Sequence, residues 1–250
     1  MTKFKKLATL IVAFVNLINF KKLRVFLQAY KMTKFDYQFL VSYSQCAEDL
    51  SLLIALQNIK NGTYIDIGAH HPSRYSNTRL LYDQGWSGVN IDANPDLIKE
   101  FQIKRKRDVN LFRAVGSLPE YKIAIFTESA VSTVVENWEI EQLANHRILD
   151  RYQVVKGITL REVFDKYFLS KECDLLSIDI EGADFEALKS IEFSTLAKNR
   201  YPNWILVETS PPVRKSLAFE SVRYAIQFGY IPYFVLPAAT LLKKEDNIHI

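Results

Sequence analysis

The chain has 250 residues, of which 48% are hydrophobic and 24% are charged, and its formal net charge is +4. A chain of this length buries enough surface to need no disulfides or structural metal, and its size favours one α/β domain with an arm over two domains. Its two cysteines, Cys46 and Cys173, lack CxxC spacing, which indicates reduced, buried thiols of a cytosolic protein rather than a redox or metal site.

The first segment of the chain is basic and apolar. Residues 1–34 contain eight Lys and Arg side chains and no acid, around the apolar run Leu7–Phe20. As a helix this run would span about 21 Å, which is less than a bilayer core of about 30 Å. We therefore expect residues 1–40 to form an arm whose helix lies on an anionic membrane surface, bound through residues 1–34. The alternatives are a helix packed on the domain or on a partner chain, and a cleaved signal peptide.

The positive charge belongs to the arm, because the rest of the chain has 24 basic and 28 acidic residues. A nucleic-acid enzyme would more often carry positive charge around its active site, so we expect no nucleic-acid partner. The expected location is the cytoplasm, with the arm able to hold the chain peripherally at the inner membrane face.

Residues 41–250 alternate predicted helices and strands. The helices are predicted at 43–59, 76–84, 96–105, 136–152, 160–168, 185–191 and 216–228. The strands are predicted at 63–69, 88–92, 109–115, 121–127, 153–158, 175–180, 204–209, 230–236 and 247–250. This alternation indicates one α/β domain with a mostly parallel sheet and helices on both of its faces.

Carboxylates end four of the apolar predicted strands. The polar residues at these ends are Asp66 with Gly68, Asp92 with Asn94, Asp179 with Glu181, and Glu208. Each alone could be a helix cap or a turn former. Ligands of such sheets bind beyond the carboxyl ends of the strands, so the four together predict a binding site.

The turn after the first predicted strand reads DIGAHHPSR and has one glycine, Gly68. A nicotinamide dinucleotide would favour GxGxxG, which seats a pyrophosphate on a helix N-terminus. Asp92 follows Asp66 by 26 residues and could accept hydrogen bonds from both hydroxyls of a ribose. The turn therefore suits a nucleoside cofactor without a pyrophosphate, such as S-adenosylmethionine, and a nicotinamide-dependent oxidoreductase is the alternative.

Several segments of the chain together carry a family resemblance. They are YSQCAEDL (43–50), YIDIGAHHPSRYSNT (64–78), GWSGVNIDANP (85–95), LLSIDIEGADFEAL (175–188) and ILVET (205–209). In order and spacing they are similar to the FkbM family of S-adenosylmethionine-dependent methyltransferases. The resemblance implies a class I, Rossmann-like fold with a seven-stranded sheet, and O-methylation of a sugar, glycan or related small-molecule hydroxyl. Of the general DxGxGxG loop only the first glycine is kept.

The resemblance also implies roles for individual residues. The cofactor turn would comprise Asp66, Ile67, Gly68 and Ala69, followed by Asn77 and Thr78. Asp92 would hold the ribose, with Ala93 and Asn94 beside the adenine and Ala114, Val115 and Gly116 along its edge. Asp179, Ile180 and Glu181 would lie near the methionine part and the acceptor.

Methyl transfer to an alcohol needs a group that removes a proton. Asp179 and Glu181 are the first candidates for this base, followed by His70 or His71 and then Glu208. The two histidines could instead only order their turn. A divalent metal held by Asp179, Glu181 and Glu208 would also serve, although the spacing does not require one.

Other polar and aromatic residues have two interpretations. Gln45, Glu48 and Asp49 could form a solvated helix start or close the site. Trp86 and Trp138 could stack on a sugar, but Trp86 is expected to pack against the second strand. A non-catalytic, membrane-associated module with a vestigial site is the third function considered, and the intact acidic strand ends argue against it.

Overall fold

A computed structural model describes residues 41–127, 145–209 and 213–245 of the chain. The predicted arm of residues 1–40, most of the predicted helix 136–152, Trp138 and the predicted strand 247–250 lie outside the described residues. Within the described ranges, no helix is long and apolar enough to cross a membrane.

The described residues form ten strands, six α-helices and two short 3-10 helices. The strands are β1 (Thr63–Ile67), β2 (Ser87–Asp92), β3 (Val109–Phe112), β4 (Ala114–Val115), β5 (Glu120–Phe126), β6 (Leu149–Ile158), β7 (Leu175–Ile178), β8 (Trp204–Glu208), β9 (Tyr230–Val235) and β10 (Ala239–Lys244). The α-helices are α1 (Glu48–Ala55), α2 (Arg79–Asp83), α3 (Pro95–Lys104), α4 (Leu160–Tyr167), α5 (Asp184–Lys189) and α6 (Glu220–Gln227). The 3-10 helices are Lys198–Arg200 and Val213–Ala218.

Seven strands form one sheet in the order β3-β2-β1-β7-β8-β10-β9. All neighbours are parallel except β10, which runs antiparallel to both β8 and β9. The prediction of a seven-stranded, mostly parallel sheet is therefore confirmed. The strand order reverses between β1 and β7, and a reversal of this kind is where open α/β sheets bind ligands.

Alternate residues of the central strands bury two separate apolar layers, one on each face of the sheet. Ile65 of β1 belongs to the layer that α4, α5 and α6 cover, whereas its neighbour Tyr64 belongs to the layer under α1 and α2. Trp86 is buried in this second layer, so the packing interpretation of Trp86 is confirmed. The helices thus lie on both faces, as predicted.

Local side-chain caps fix where two helices begin. Thr159 forms a capping box with Glu162 at the start of α4. The Asn94 side chain accepts a hydrogen bond from the Asp96 N–H at the start of α3. Because Asn94 lies between the end of β2 and the start of α3, this cap also fixes the end of β2 in relation to α3.

Three sequence predictions are wrong. Residues 149–152, predicted to be helical, are strand, because β6 pairs with β5 from Leu149 onward. The predicted strand 109–115 breaks at Arg113, so that β3 lies in the large sheet and β4 in a small sheet with the order β4-β6-β5. The third concerns Cys46, which is exposed rather than buried. The sequence pattern gives no prediction for β10.

A buried arginine holds the loop between β1 and α2. The Arg105 side chain is fully buried, and its guanidinium donates two hydrogen bonds to the carbonyl oxygen of Pro72, at 3.1 and 3.2 Å. It also donates to Ser76 Oγ at 3.0 Å and to the Tyr64 hydroxyl at 3.0 Å. Charge-assisted bonds of this kind are stronger than neutral ones, so they give this loop a defined shape.

Candidate active site

A cavity opens beyond the carboxyl ends of β1, β2, β7 and β8, where the strand order reverses, and the small sheet forms one of its walls. Most of the predicted site residues line this cavity. They are Ile67, Gly68, His70, Asn77, Asp92, Ala93, Asn94, Ala114, Val115, Asp179, Ile180, Glu181 and Glu208. Gln45 and Glu48 also line it, which is consistent with the site-closing interpretation of this segment.

Four predicted residues lie behind the cavity wall instead: Asp66, Ala69, Thr78 and Gly116. Asp66 is buried, and its carboxylate accepts a hydrogen bond from Thr78 Oγ1 at 2.6 Å. The N–H of Ala69 donates to Ile91 O, and the N–H of Gly116 donates to Ile158 O. In this structure all four therefore hold the framework of the cavity.

Sequence reasoning missed the apolar walls and one cation. The missed residues are Tyr75, Ile91, Arg113, Ile123, Ile125, Ile178, Leu206, Ala238 and Ala239. Most of them are aliphatic residues within strands, which carry no chemical signal in a sequence. The strand β5 is buried continuously from Ile123 to Phe126, so no alternation in it singles out Ile123 and Ile125.

The turn at Gly68 brings the backbones of β1 and β7 into close contact. Gly68 has a φ of +69°, and a Cβ at this position would overlap the carbonyl oxygen of Asp179. The Asp179 N–H donates to Ile67 O at 3.1 Å, and the Gly68 N–H donates to Ile91 O of β2 at 3.0 Å. Only glycine fits here, and its missing side chain leaves the backbone open to the cavity.

Asp92 closes the end of β2 with both carboxylate oxygens engaged. One oxygen accepts from the His70 N–H at 2.8 Å and the other from the Asn94 N–H at 2.7 Å. Burial raises the pKa of Asp92 to about 6, and these backbone bonds oppose the shift. Each carboxylate oxygen has a second lone pair, so Asp92 can still accept hydrogen bonds from a diol in the cavity.

His70 lines the cavity as a neutral imidazole. Burial lowers its pKa to about 4. Its Nδ1 lies 3.4 Å from the carbonyl oxygen of Arg74, which favours the tautomer with the proton on Nδ1. His70 and Tyr75 both have φ +52°, and their ring centroids lie 5.8 Å apart. The backbone strain shows that this turn is held in a defined shape.

Three carboxyl groups share the other end of the cavity. Burial, with repulsion from Glu208 and other carboxylates, raises the pKa of Asp179 well above its usual range. Burial and repulsion from Asp179 raise the pKa of Glu181 to about 8, and burial and repulsion from Asp184 raise that of Glu208 to about 8. These groups can therefore hold or accept a proton near neutral pH.

The sequence raised a divalent metal held by these carboxyl groups as an option. Among the described residues, no three His, Cys, Asp or Glu side chains are grouped so that they could hold a metal ion. The arrangement of Asp179, Glu181 and Glu208 thus gives no support to the metal option raised by the sequence.

The raised pKa values predict that the free energy of unfolding falls as pH rises from about 7 to about 8. Glu181 and Glu208, with a usual pKa of 4.5, are ionised in the unfolded chain but still bind protons in the folded protein. Raising the pH therefore removes protons from the folded state alone, which favours unfolding. His70 and His71, whose pKa values are lowered from 6.5, are largely neutral in both states across this window.

Urea unfolding at both pH values measures this effect. Glu181→Gln and Glu208→Gln should each weaken the pH dependence, while Glu186→Gln, on the exposed side of α5, should leave it unchanged. A wild-type stability that rises between the two pH values would contradict the prediction.

The fold is Rossmann-like, and its cavity lies where sheets of this kind bind their ligands. The sequence model of the methyltransferase FkbM domain matches residues 66–231, which is well over half of the chain. The chain therefore belongs to the FkbM methyltransferase family, as its motifs indicate. This assignment disfavours the nicotinamide-dependent alternative. No curated protein matches the chain.

Two solved structures show how remote the structural likenesses are. The TehB-like SAM-dependent methyltransferase of Corynebacterium glutamicum is 13% identical, with 80% of this chain and 88% of that chain covered and a TM-score of 0.39. The human methyltransferase 10 domain containing protein is 14% identical, with 80% and 83% covered and a TM-score of 0.42. Neither likeness bears on the substrate.

Proposed function

We propose that this chain transfers the methyl group of S-adenosylmethionine to a hydroxyl of a sugar, glycan or related small molecule. One observation carries the proposal. A single cavity joins an aspartate at the end of β2 to three carboxyl groups of raised pKa at the ends of β7 and β8. The first end suits a nucleoside, and the second suits an acceptor that must lose a proton.

The nucleoside end of the cavity is proposed to hold the adenosine part of the cofactor. Asp92 would accept hydrogen bonds from the two ribose hydroxyls, and Ala93, Ala114 and Val115 would contact the adenine. The exposed backbone at Gly68 would lie under the bond between the ribose and the sulfur. The fit rests on the open lone pairs of Asp92 and on a turn that a Cβ would obstruct.

The acceptor end of the cavity is proposed to position the hydroxyl and remove its proton. The bound cofactor supplies an electrophilic methyl group, so the protein mainly aligns the acceptor oxygen for in-line attack. Asp179, Glu181 or Glu208 would take the proton, because a base of raised pKa, about 8 for Glu181 and Glu208, matches this task at neutral pH better than an exposed carboxylate. His70 is the next candidate.

The composition of the cavity wall favours uncharged acceptors. Five carboxyl side chains line it, and Arg113 is the one Lys or Arg side chain among its described residues. The five are Glu48, Asp92, Asp179, Glu181 and Glu208. A phosphate-rich acceptor would find one cationic partner here, Arg113, so a nucleic acid is not proposed as substrate. A neutral polyol such as a sugar carries hydroxyl donors that carboxylates bind well.

The cofactor assignment is tested by removing the carboxylate of Asp92. We expect Asp92→Ala to bind S-adenosylhomocysteine at least about tenfold more weakly by calorimetry, because each hydrogen bond to a charged group contributes about 1.5–3 kcal/mol. Comparing this affinity with that for the 2′-deoxy analogue of the ligand distinguishes two causes of weaker binding: loss of the contact to the ribose hydroxyl and loosening of the turn. Wild type should prefer the ribose form, and Asp92→Ala should lose that preference.

Asp83→Ala provides the matched control, since Asp83 is a half-exposed aspartate at the end of α2 that pairs with Arg79. This variant should bind both ligands as the wild type does. If wild type binds neither ligand, the proposed function fails. A folded Asp92→Ala protein that still discriminates between the two ligands would rule out the ribose contact but not the rest of the proposed function.

A further inference from the structure

Glu48 has a buried carboxylate oxygen that lacks a partner among the described residues. Its side chain lines the cavity, yet only 3% of the residue is exposed. One oxygen, Oε2, accepts a hydrogen bond from the Cys46 N–H at 2.8 Å, whereas Oε1 has none. Leaving a buried polar oxygen unsatisfied costs free energy, so this atom is expected to meet a hydrogen-bond donor from a ligand.

The segment before α1 fixes Glu48 in this position. Ala47 has a φ of +64°, which turns the chain immediately before the helix. The neighbouring Asp49 carboxylate accepts from Ser42 Oγ at 2.7 Å and from the Tyr43 N–H at 2.6 Å. The Ser76 N–H donates to the Tyr43 carbonyl, which ties this segment to the loop after β1. These contacts hold the unpartnered oxygen in place.

The location of Glu48 indicates which part of a ligand it meets. Burial is the main cause of the raised pKa of Asp179, and the nearby carboxylates add to it in the order Glu208, Asp184, Asp66 and Glu48. Because Glu48 contributes to this shift, it lies near the end of β7. Asp92 ends β2, and β1 separates β2 from β7. A cofactor with its ribose at Asp92 would extend across β1 and place its methionine part at the β7 end. The methionine part carries one cation, an α-ammonium with three N–H donors.

We propose that Glu48 binds the α-ammonium of the methionine part of the cofactor. This inference rests on the proposed function and adds a binding residue outside the strand ends. An ammonium satisfies the unpartnered oxygen and neutralises one charge of an acidic cavity. The Glu48 carboxylate would bind only ligands that carry a free amine. It would therefore distinguish the whole cofactor from its nucleoside fragment.

The test compares two ligands on Glu48→Gln by calorimetry. S-adenosylhomocysteine carries the α-ammonium, whereas 5′-methylthioadenosine keeps the nucleoside and the thioether but has no amino acid. Glu48→Gln should weaken S-adenosylhomocysteine binding by about tenfold to a hundredfold, the usual effect of losing a charged hydrogen bond. Binding of 5′-methylthioadenosine should be unchanged, which also shows that the variant is folded.

Glu220→Gln is the matched control, because Glu220 begins α6, another eight-residue helix, and is exposed. It removes the same charge from the same helical position and should leave both affinities unchanged. Unchanged S-adenosylhomocysteine affinity in Glu48→Gln would overturn the inference and leave the proposed function intact. Equal weakening of both ligands would assign Glu48 a structural role and overturn it as well. Wild-type protein that binds neither ligand would overturn the proposed function together with this inference.

Discussion

Replacing Gly68 by alanine is expected to destabilise the domain by about 3–5 kcal/mol and to abolish measurable binding of S-adenosylhomocysteine. The left-handed φ of +69° alone costs an alanine about 1–2 kcal/mol. The larger part comes from the overlap of the new Cβ with the Asp179 carbonyl oxygen, which belongs to the backbone and cannot rotate away. Urea unfolding measures the first effect, and calorimetry measures the second.

Gly229→Ala separates backbone strain from the overlap. Gly229 has a φ of +88°, but a Cβ there would have no atom within 4 Å. This variant should lose only about 1–2 kcal/mol and should keep its cofactor affinity. Equal losses in the two variants would show that the contact between the β1 and β7 turns contributes nothing, contrary to the structure.

Removing one of the three carboxylates at the acceptor end is expected to reduce turnover by about a hundredfold or more while cofactor binding survives. The variants are Asp179→Asn, Glu181→Gln and Glu208→Gln, each of which keeps the shape of the side chain. At least one should have this effect, because a hydroxyl acceptor must lose its proton to a base. Turnover is measured as release of S-adenosylhomocysteine in the presence of a sugar acceptor selected by screening.

The pH dependence of turnover is a second way to detect the base that removes the proton of the acceptor. A base acts in its ionised form, so wild-type turnover should rise with pH and level off above about 8, the raised pKa of Glu181 and Glu208. Glu186→Gln changes an exposed glutamate and should reproduce the wild-type profile. If all three variants turn over normally, the base lies elsewhere, and His70→Gln is the next variant to examine.

Local patterns in the sequence predict most of the fold because the central strands are apolar segments with abrupt polar ends. LLSIDI and WILVET indicate β7 and β8 directly. By contrast, β10 is ATLLKK, a short segment that ends in two lysines, and it is a strand because it pairs with β8 and β9 on both sides. That pairing is a tertiary interaction, and strand propensity depends strongly on such context.

The candidate site was predictable where its residues carry charge and follow a strand. Asp92, Asp179, Glu181 and Glu208 all line the cavity. Asp66 has the same signal but lies behind the wall with Thr78, because its side chain points to the opposite face from Ile65 and Ile67. Whether a residue at the end of a strand lines the cavity depends on which face of the sheet its side chain points to. Its position at the end of the strand does not specify that face.

The place of β10 in the large sheet also has a consequence for synthesis on the ribosome. Its neighbours, β8 and β9, both precede it in the chain, and neither pairs with the other. Until residue 244 has emerged, β8 carries an open edge whose Leu206 and Val207 are buried in the finished sheet. An unpaired apolar edge is a template for pairing with other nascent chains. The nascent chain therefore carries this aggregation hazard until its last described strand is inserted.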